Sequence, residues 1–362
     1  MESPKTLTIR KPDDWHVHFR NVWEMMRVVI PPTARRFGRV LAMTNFTPLI
    51  QELMEGRKYC HLVRRAAGGR HAFPSFRPYL SYYLTPAVDV HQLRFGFEEG
   101  IFLAAKLMWT GATTGSEFGV RSRQQIYPAL TVMEKIGMPL AIHGQIIERG
   151  GVRVDPYDRE PIFFGEELPR LRSDFPGLKI SVEHLSTRVG ASYVEGANDP
   201  NLVGTITAHH LWISREDLHE GGLCGDYHCL PPVAREEDRL ALRKAATSGK
   251  SCFFLGSDSA PHLLSSKRSH CSPGGIWTGH AALELYTHVF EEEAALDRLE
   301  NFASVYGAQF YDLPPNTETI ILERIPWTVD VLVPVGKDGF LWPFLYEEKP
   351  ENRPLINWRL KD

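Results

Sequence analysis

Two histidines stand two residues apart in the run Asp14-Trp15-His16-Val17-His18-Phe19-Arg20. Alternate residues of a β-strand share a face, so His16, His18 and Arg20 are predicted on one side and Trp15, Val17 and Phe19 on the other. Two neutral imidazoles so placed can hold a divalent metal, with a guanidinium beside it. A solvated surface strand would carry the same pair, whereas burying all three groups without partners is costly. Residues of matching chemistry recur downstream. Lys106 follows five apolar residues, His143 closes Leu140-Ala141-Ile142-His143, His184 closes Ile180-Ser181-Val182-Glu183-His184, and Asp258 follows Leu255-Gly256-Ser257. Imidazole and carboxylate suit zinc, and a catalytic site keeps a position open for water. A buried lysine loses its proton readily, and the neutral amine can add carbon dioxide to become an anionic carbamate that bridges two metals. Taken alone, Lys106 reads more simply as a lysine snorkelling from a strand end. The case for two metals rests on six such groups meeting in one place.

The pattern of elements predicts that they meet. Strand-type runs fall near 15–19, 39–44, 75–84, 101–108, 139–143, 178–184, 202–207 and 252–256. Segments of helical periodicity lie between them, at 22–37, 50–67, 88–98, 123–136, 165–174, 188–195 and 235–248. Strands alternating with helices argue for parallel βαβ units, and eight units give an α/β fold of the (β/α)8 TIM-barrel type. The runs 101–105 and 252–255 are apolar on both faces, as buried parallel strands are. In such a barrel the carboxyl ends of the strands converge on one mouth, where Lys106, His143, His184 and Asp258 are placed, with His16 and His18 facing inward to join them. The small-residue loop 110–116 is expected to be mobile, and about forty residues, including the Gly-rich stretch 220–225, separate the seventh and eighth strands. Helical segments at 278–289 and 296–309 follow. The tail from 313 reads as irregular or short β structure packed outside, without a catalytic role. A single domain over 1–362 is expected, with the barrel core at about 12–310 and a C-terminal extension at about 311–362.

Composition bounds the class. With 43% hydrophobic residues among 362, the chain can bury a large core. A net charge of −3 implies no broad surface for nucleic acid or anionic membrane. The five cysteines are scattered and form no CxxC pair, against a disulfide framework or a zinc–thiolate site. Cys224 and Cys229, near His219 and His228, make a weaker metal candidate. No apolar run approaches the roughly 18 residues of a membrane span, and residues 1–11 contain no signal-type apolar region. A soluble, cytoplasmic protein is expected, acting on a small molecule; a symmetric homodimer is a common state for such barrels.

These residues carry a resemblance. The chain resembles the dihydroorotase family of the amidohydrolase superfamily, in its compact stand-alone form. The matching pieces are residues 13–20, Met43-Thr44-Asn45, Ala104-Ala105-Lys106-Leu107, Ala112-Thr113-Thr114, Ile142-His143-Gly144, Glu183-His184, Thr205-Ile206-Thr207 with His210-Leu211, Cys229-Leu230-Pro231, and Gly256-Ser257-Asp258-Ser259-Ala260-Pro261-His262. The resemblance implies two zinc ions per chain. His16, His18 and Asp258 would hold one, His143 and His184 the other, with carboxylated Lys106 (N6-carboxylysine) and a hydroxide bridging them. It implies that Arg20, Asn45 and His262 bind a substrate carboxylate, that Leu230 and Gly274 add backbone contacts, and that Thr113 and Thr114 sit on a flexible loop closing over the site. The implied reaction is reversible closure of N-carbamoyl-L-aspartate to L-dihydroorotate in pyrimidine biosynthesis, with Asp258 carrying the proton. The chain departs from the family pattern at Met108-Trp109, Gly115, Gln145, Arg268 and Pro273. Two other functions fit parts of this pattern: a hydantoinase or dihydropyrimidinase-like hydrolase of neutral rings, against which the Arg20, Asn45 and His262 set argues, and a non-catalytic barrel scaffold, against which six filled ligand positions argue.

Overall fold

Residues 5–220 and 222–361 are described by the computed structural model, so Gly221 of the Gly-rich stretch, residues 1–4 and residue 362 lie outside the described residues. Eight strands stand where the alternating pattern places them: β1 (Asp13–Val17), β2 (Arg39–Ala42), β3 (Arg77–Tyr83), β4 (Phe102–Leu107), β5 (Leu140–His143), β6 (Ile180–Glu183), β7 (Leu202–Ile206) and β8 (Phe253–Leu255). They pair in parallel and in sequence order. The sheet curls until β8 meets β1. The Asp258 N–H donates to the His16 carbonyl at 2.8 Å and the His18 N–H to the Ser259 carbonyl at 3.0 Å. The buried Asp14 carboxylate accepts from the Ser257 N–H at 2.9 Å and from its hydroxyl at 2.5 Å. The fold is a (β/α)8 TIM barrel.

Apolar residues divide into an inner and an outer layer. Trp15, Leu41, Met43, Tyr79, Leu103, Ala141, Val203 and Phe254, drawn from seven of the eight strands and their ends, form one cluster with Ala308, Phe310 and Tyr311. A cluster shared by so many strands fills the barrel, and Tyr306–Phe310 caps it from below. The outer cluster joins the strands to the surrounding helices and includes Val17 and Phe19. Trp15 therefore does not share a side with Val17 and Phe19, as simple alternation predicts. The pairing of β1 with β2 shifts register between Asp14 and Val17, and such an irregularity re-aims side chains beside an active site.

The tail gives the second departure. Thr319–Glu323 pairs antiparallel with Thr6–Arg10, and Arg359–Leu360 adds a third strand. Short β structure in the tail is expected; its partner at the start of the chain is not. The helix expected at 165–174 begins at Arg159 and passes through a π-turn at Phe163–Glu167 before Leu168–Asp174. Among the described residues no helix is long and apolar enough to cross a membrane.

Gly307 is where the bottom helix touches the barrel filling. A Cβ there would lie 2.0 Å from the Trp15 indole nitrogen, and neither group has room to move in a close-packed interior. Gly307→Ala is expected to destabilise the fold by about 1–3 kcal/mol, read as a lowered urea midpoint. An unchanged midpoint would show that the helix shifts freely and does not seal the barrel.

Candidate active site

The carboxyl ends of the strands surround a cavity of about 20 Å³ lined by His16, His18, Arg20, Asn45, Lys106, Thr113, Thr114, His143, His184, Leu230, Asp258 and Gly274, among others. Every residue marked in the sequence as a ligand or a contact is thus in one place. His262 is the exception, and it stands behind Arg20, whose guanidinium donates to its Nε2 at 2.8 Å. A roomier cavity of about 620 Å³ lies next to the base of the 110–116 loop, lined by Trp109, Val120, Arg123, Ile147 and Glu167 among others, and contains none of these residues.

The ligating groups are close and dry. One atom each of His16, His18 and Asp258 lie within 4.8 Å of one another. Asp258 Oδ1 is 3.0 Å from His18 Nε2 and 3.3 Å from His16 Nε2, and His143 Nδ1 is 3.1 Å from His184 Nε2. Buried beside them, His18 Nδ1, His184 Nδ1 and Lys106 Nζ have no hydrogen-bond partner among the described residues. Burial, with Asp258 opposing it, brings His18 down to about 4; burial and the neighbouring Lys106 bring His143 down to about 3. The rings are therefore neutral, the form that binds metal. Burial lowers the Lys106 amine to about 8, against the pull of Glu183 and Asp258. Burial pushes the Asp258 carboxyl up, but the facing histidines, led by His16, outweigh it and hold the group well below the usual carboxylate range. Neutral imidazoles, a carboxylate and an unmet amine, all aimed into one cavity, form a donor set that fits divalent metal.

Partners behind the ligands set their orientation. His16 Nδ1 donates to Glu183 Oε2 at 2.5 Å, which leaves Nε2 as a lone-pair donor. Gln145 Oε1 accepts from His143 Nε2 at 2.9 Å, which leaves Nδ1 as the lone-pair nitrogen in the same way. Such partners fix tautomer and ring direction around metals. Glu183 itself accepts from the Ser181 hydroxyl at 2.5 Å. Glu183 has no role predicted from sequence; the signal for one is an acid next to His184 on a buried strand. Three residues of the site, Arg20, His184 and Asp258, hold non-glycine backbones at φ 62°, 45° and 44°, a strain that collects where geometry is over-determined.

The loop carrying Thr113 and Thr114 is folded over the cavity. Asn45 Nδ2 donates to the Thr114 carbonyl at 2.8 Å, and the Tyr83 hydroxyl donates to the Gly115 carbonyl at 2.9 Å. Asn45 thus serves the loop here, with its Oδ1 left unpartnered. Gly115 has φ +73°, and a Cβ would sit 2.2 Å from the Asn45 carbonyl oxygen, so the glycine that departs from the family pattern permits this close approach. Arg268, a second departure, donates to Asp226 Oδ2 at 3.0 Å.

Lys267, unmarked in the sequence, ties two walls together. Its buried ammonium donates to the carbonyls of His228 (2.7 Å), Pro273 (3.2 Å) and Gly275 (2.9 Å). It thereby joins the segment before Leu230 to the segment around Gly274. Lys267→Met is expected to cost about 1–3 kcal/mol of stability through three abandoned carbonyls and to speed amide exchange in peptides spanning 228–231 and 273–276. Unchanged exchange in both peptides would remove Lys267 as the tie.

Comparison with known proteins supplies the family. No family model matches the chain. It is 45% identical over 329 residues to a dihydroorotase of Novosphingobium aromaticivorans, covering 91% of this chain and 93% of that one. It is 44% identical over 358 residues to a dihydroorotase of Erythrobacter litoralis, covering 99% of each. Among solved structures it superposes on the Saccharomyces cerevisiae dihydroorotase crystallised with 5-fluoroorotic acid, with a TM-score of 0.88, 26% identity and 99% of both chains covered. An L-hydantoinase from Arthrobacter aurescens shares the fold at a TM-score of 0.73 and 16% identity. The relatives span nearly the whole length: the chain belongs to the dihydroorotase family of metal-dependent cyclic amidohydrolases.

Proposed function

We propose that the chain catalyses the reversible, zinc-dependent cyclisation of N-carbamoyl-L-aspartate to L-dihydroorotate in de novo pyrimidine biosynthesis. It would act in the cytoplasm as a single domain and a symmetric homodimer, on this small molecule and without a nucleic-acid partner. One observation carries the reading: six side chains able to ligate metal and the Arg20 guanidinium, backed by His262, converge on one cavity at the strand mouth.

In this reading His16, His18 and Asp258 would hold one zinc and His143 and His184 the other, and a carboxylated Lys106 would add an anionic ligand beside them. The neutral Lys106 amine adds carbon dioxide and sheds a proton, which turns an unmet buried amine into an anionic ligand. A metal pair bound there supplies Lewis acidity toward the ring carbonyl and a water acidified to near neutral pH.

The remaining work falls to the protein's own groups. Arg20 presents a fixed fork to the substrate carboxylate. Its Nε is anchored on the Pro261 carbonyl at 3.0 Å, and burial lowers it only to about 10, so it stays charged. Burial and the adjacent Arg20 hold the His262 ring far below its usual range. His262 is therefore neutral, and it orients the guanidinium without repelling it. Leu230, Gly274 and Asn45 border the same space and complete the substrate contacts. In hydrolysis, Asp258 takes a proton from the attacking water and delivers it to the ring nitrogen as the amide C–N bond breaks; in cyclisation it removes that proton. Thr113 and Thr114 keep bulk water out while this happens.

The direct test is paired: metal per chain, and interconversion of N-carbamoyl-L-aspartate and L-dihydroorotate by absorbance. Two zincs with turnover in both directions is the expected result, and a metal-replete protein inactive on both compounds would refute the reading. Arg20→Met is expected to lower kcat/KM by about 10- to 150-fold, the worth of a charged hydrogen-bonded contact, with metal content unchanged. An unaltered kcat/KM would take Arg20 out of the substrate site. Lys106→Ala is expected to lose both metal and turnover, with short carboxylic acids restoring part of each; full metal and full rate without additives would exclude the carbamate.

A further inference from the structure

A second group of metal-ligating side chains lies outside the site just described. His209 is fully buried, yet neither of its ring nitrogens has a hydrogen-bond partner among the described residues. A neutral imidazole carries one N–H and one lone pair, so both go unmet in the interior, and such a group demands an explanation. Its neighbours supply one. One ligand atom each from His209, His210 and Cys229 lie within 4.8 Å of one another, all three residues buried, and His16, His18 and Asp258 fall within the same limit. These are the two such groups among the described residues.

We propose that His209, His210 and Cys229 form a structural zinc site, with the Pro231 carbonyl oxygen as its fourth donor. Two imidazoles, one thiolate and one oxygen make a tetrahedral set suited to zinc. The His210 Nε2 and Cys229 Sγ atoms both aim at the Pro231 oxygen, at 3.3 Å and 3.2 Å. His210 Nδ1 lies 2.8 Å from the Thr207 hydroxyl. An N–H donated there leaves Nε2 as the ligating nitrogen, the usual arrangement behind a metal-bound histidine. Tetrahedral bonds of about 2.0–2.3 Å put ligand atoms about 3.3–3.8 Å apart, close to the separations that the Pro231 oxygen already keeps from His210 Nε2 and Cys229 Sγ. The Cys229 thiol gives up its proton to solvent as the metal enters. Burial, opposed by Lys267, pushes that thiol up to about 12, so it stays protonated until a metal replaces the proton.

The sequence linked Cys229 to Cys224, His219 and His228. The fold pairs it instead with residues twenty positions upstream. Neither Cys224 nor His219 nor His228 belongs to the group, and His228 Nδ1 is occupied 3.1 Å from the Ser272 carbonyl. Zinc here would pin the short helix Ala208–Trp212, just beyond β7, to the segment bearing Leu230.

Cobalt distinguishes this site from the one at the strand mouth, because none of the six ligands there is sulfur. Metal-stripped full-length protein reloaded with Co2+ is expected to show a near-ultraviolet thiolate-to-cobalt charge-transfer band and one metal equivalent beyond those held at the mouth. Cys229→Ser is expected to lose the band and that equivalent, and Cys224→Ser to keep both. His209→Gln, whose sulfur is untouched, is expected to lose the equivalent as well and decides the question should Cys229→Ser fail to fold. Absence of the band at saturating Co2+, its survival in Cys229→Ser, or full retention of metal in His209→Gln would overturn the proposal.

Discussion

The closure of the barrel by one buried carboxylate is the constraint on which the site depends. β1 and β8 do not meet through a long regular ladder. Asp14 accepts from both the backbone and the hydroxyl of Ser257, and the His16 and His18 backbones exchange hydrogen bonds with Asp258 and Ser259. The seam that turns an open sheet into a barrel is therefore also what brings His16 and His18 against the aspartate that follows the last barrel strand. Barrel closure and the placement of His16, His18 and Asp258 rest on one set of contacts, and a loosened seam would disturb both.

The second theme is incompleteness. A protein interior ordinarily satisfies its polar atoms, yet Lys106, His18, His184 and Asn45 leave atoms unmet at the strand mouth. Desolvation keeps the histidines neutral and lowers the lysine. The polypeptide thus holds the histidines neutral and makes the Lys106 amine easier to deprotonate than in water. The strained backbones of Arg20, His184 and Asp258 belong to the same preorganisation.

Much of this was legible in the chain because its signals were local. Apolar runs of strand length followed by one polar residue, as in Leu140–His143, mark both a buried parallel strand and the group it delivers. The mouth geometry then follows from the rule that such strands converge. What escaped depends on tertiary context. The register shift in β1, which separates Trp15 from Val17, has no signature in an unbroken alternating run. The pairing of residues 6–10 with 319–323 joins segments with no sequence cue for each other. Glu183, Gln145 and Lys267 acquire meaning only through the atoms they face. Cys229 looked toward its sequence neighbours, whereas the turn after β7 delivers His209 and His210 to it.

The strand at Thr6–Arg10 takes its partner, Thr319–Glu323, from across most of the chain. Asp14 likewise waits for Ser257. Contacts of such separation carry a large loop-closure cost and form late. During synthesis the nascent chain therefore exposes an open, half-built barrel until β8 and Ser257 have emerged, and an unpaired strand edge until Thr319–Glu323 follows, a period in which edge-to-edge association competes with folding. Architecture that secures the finished enzyme at both ends makes its assembly a matter for cellular proteostasis.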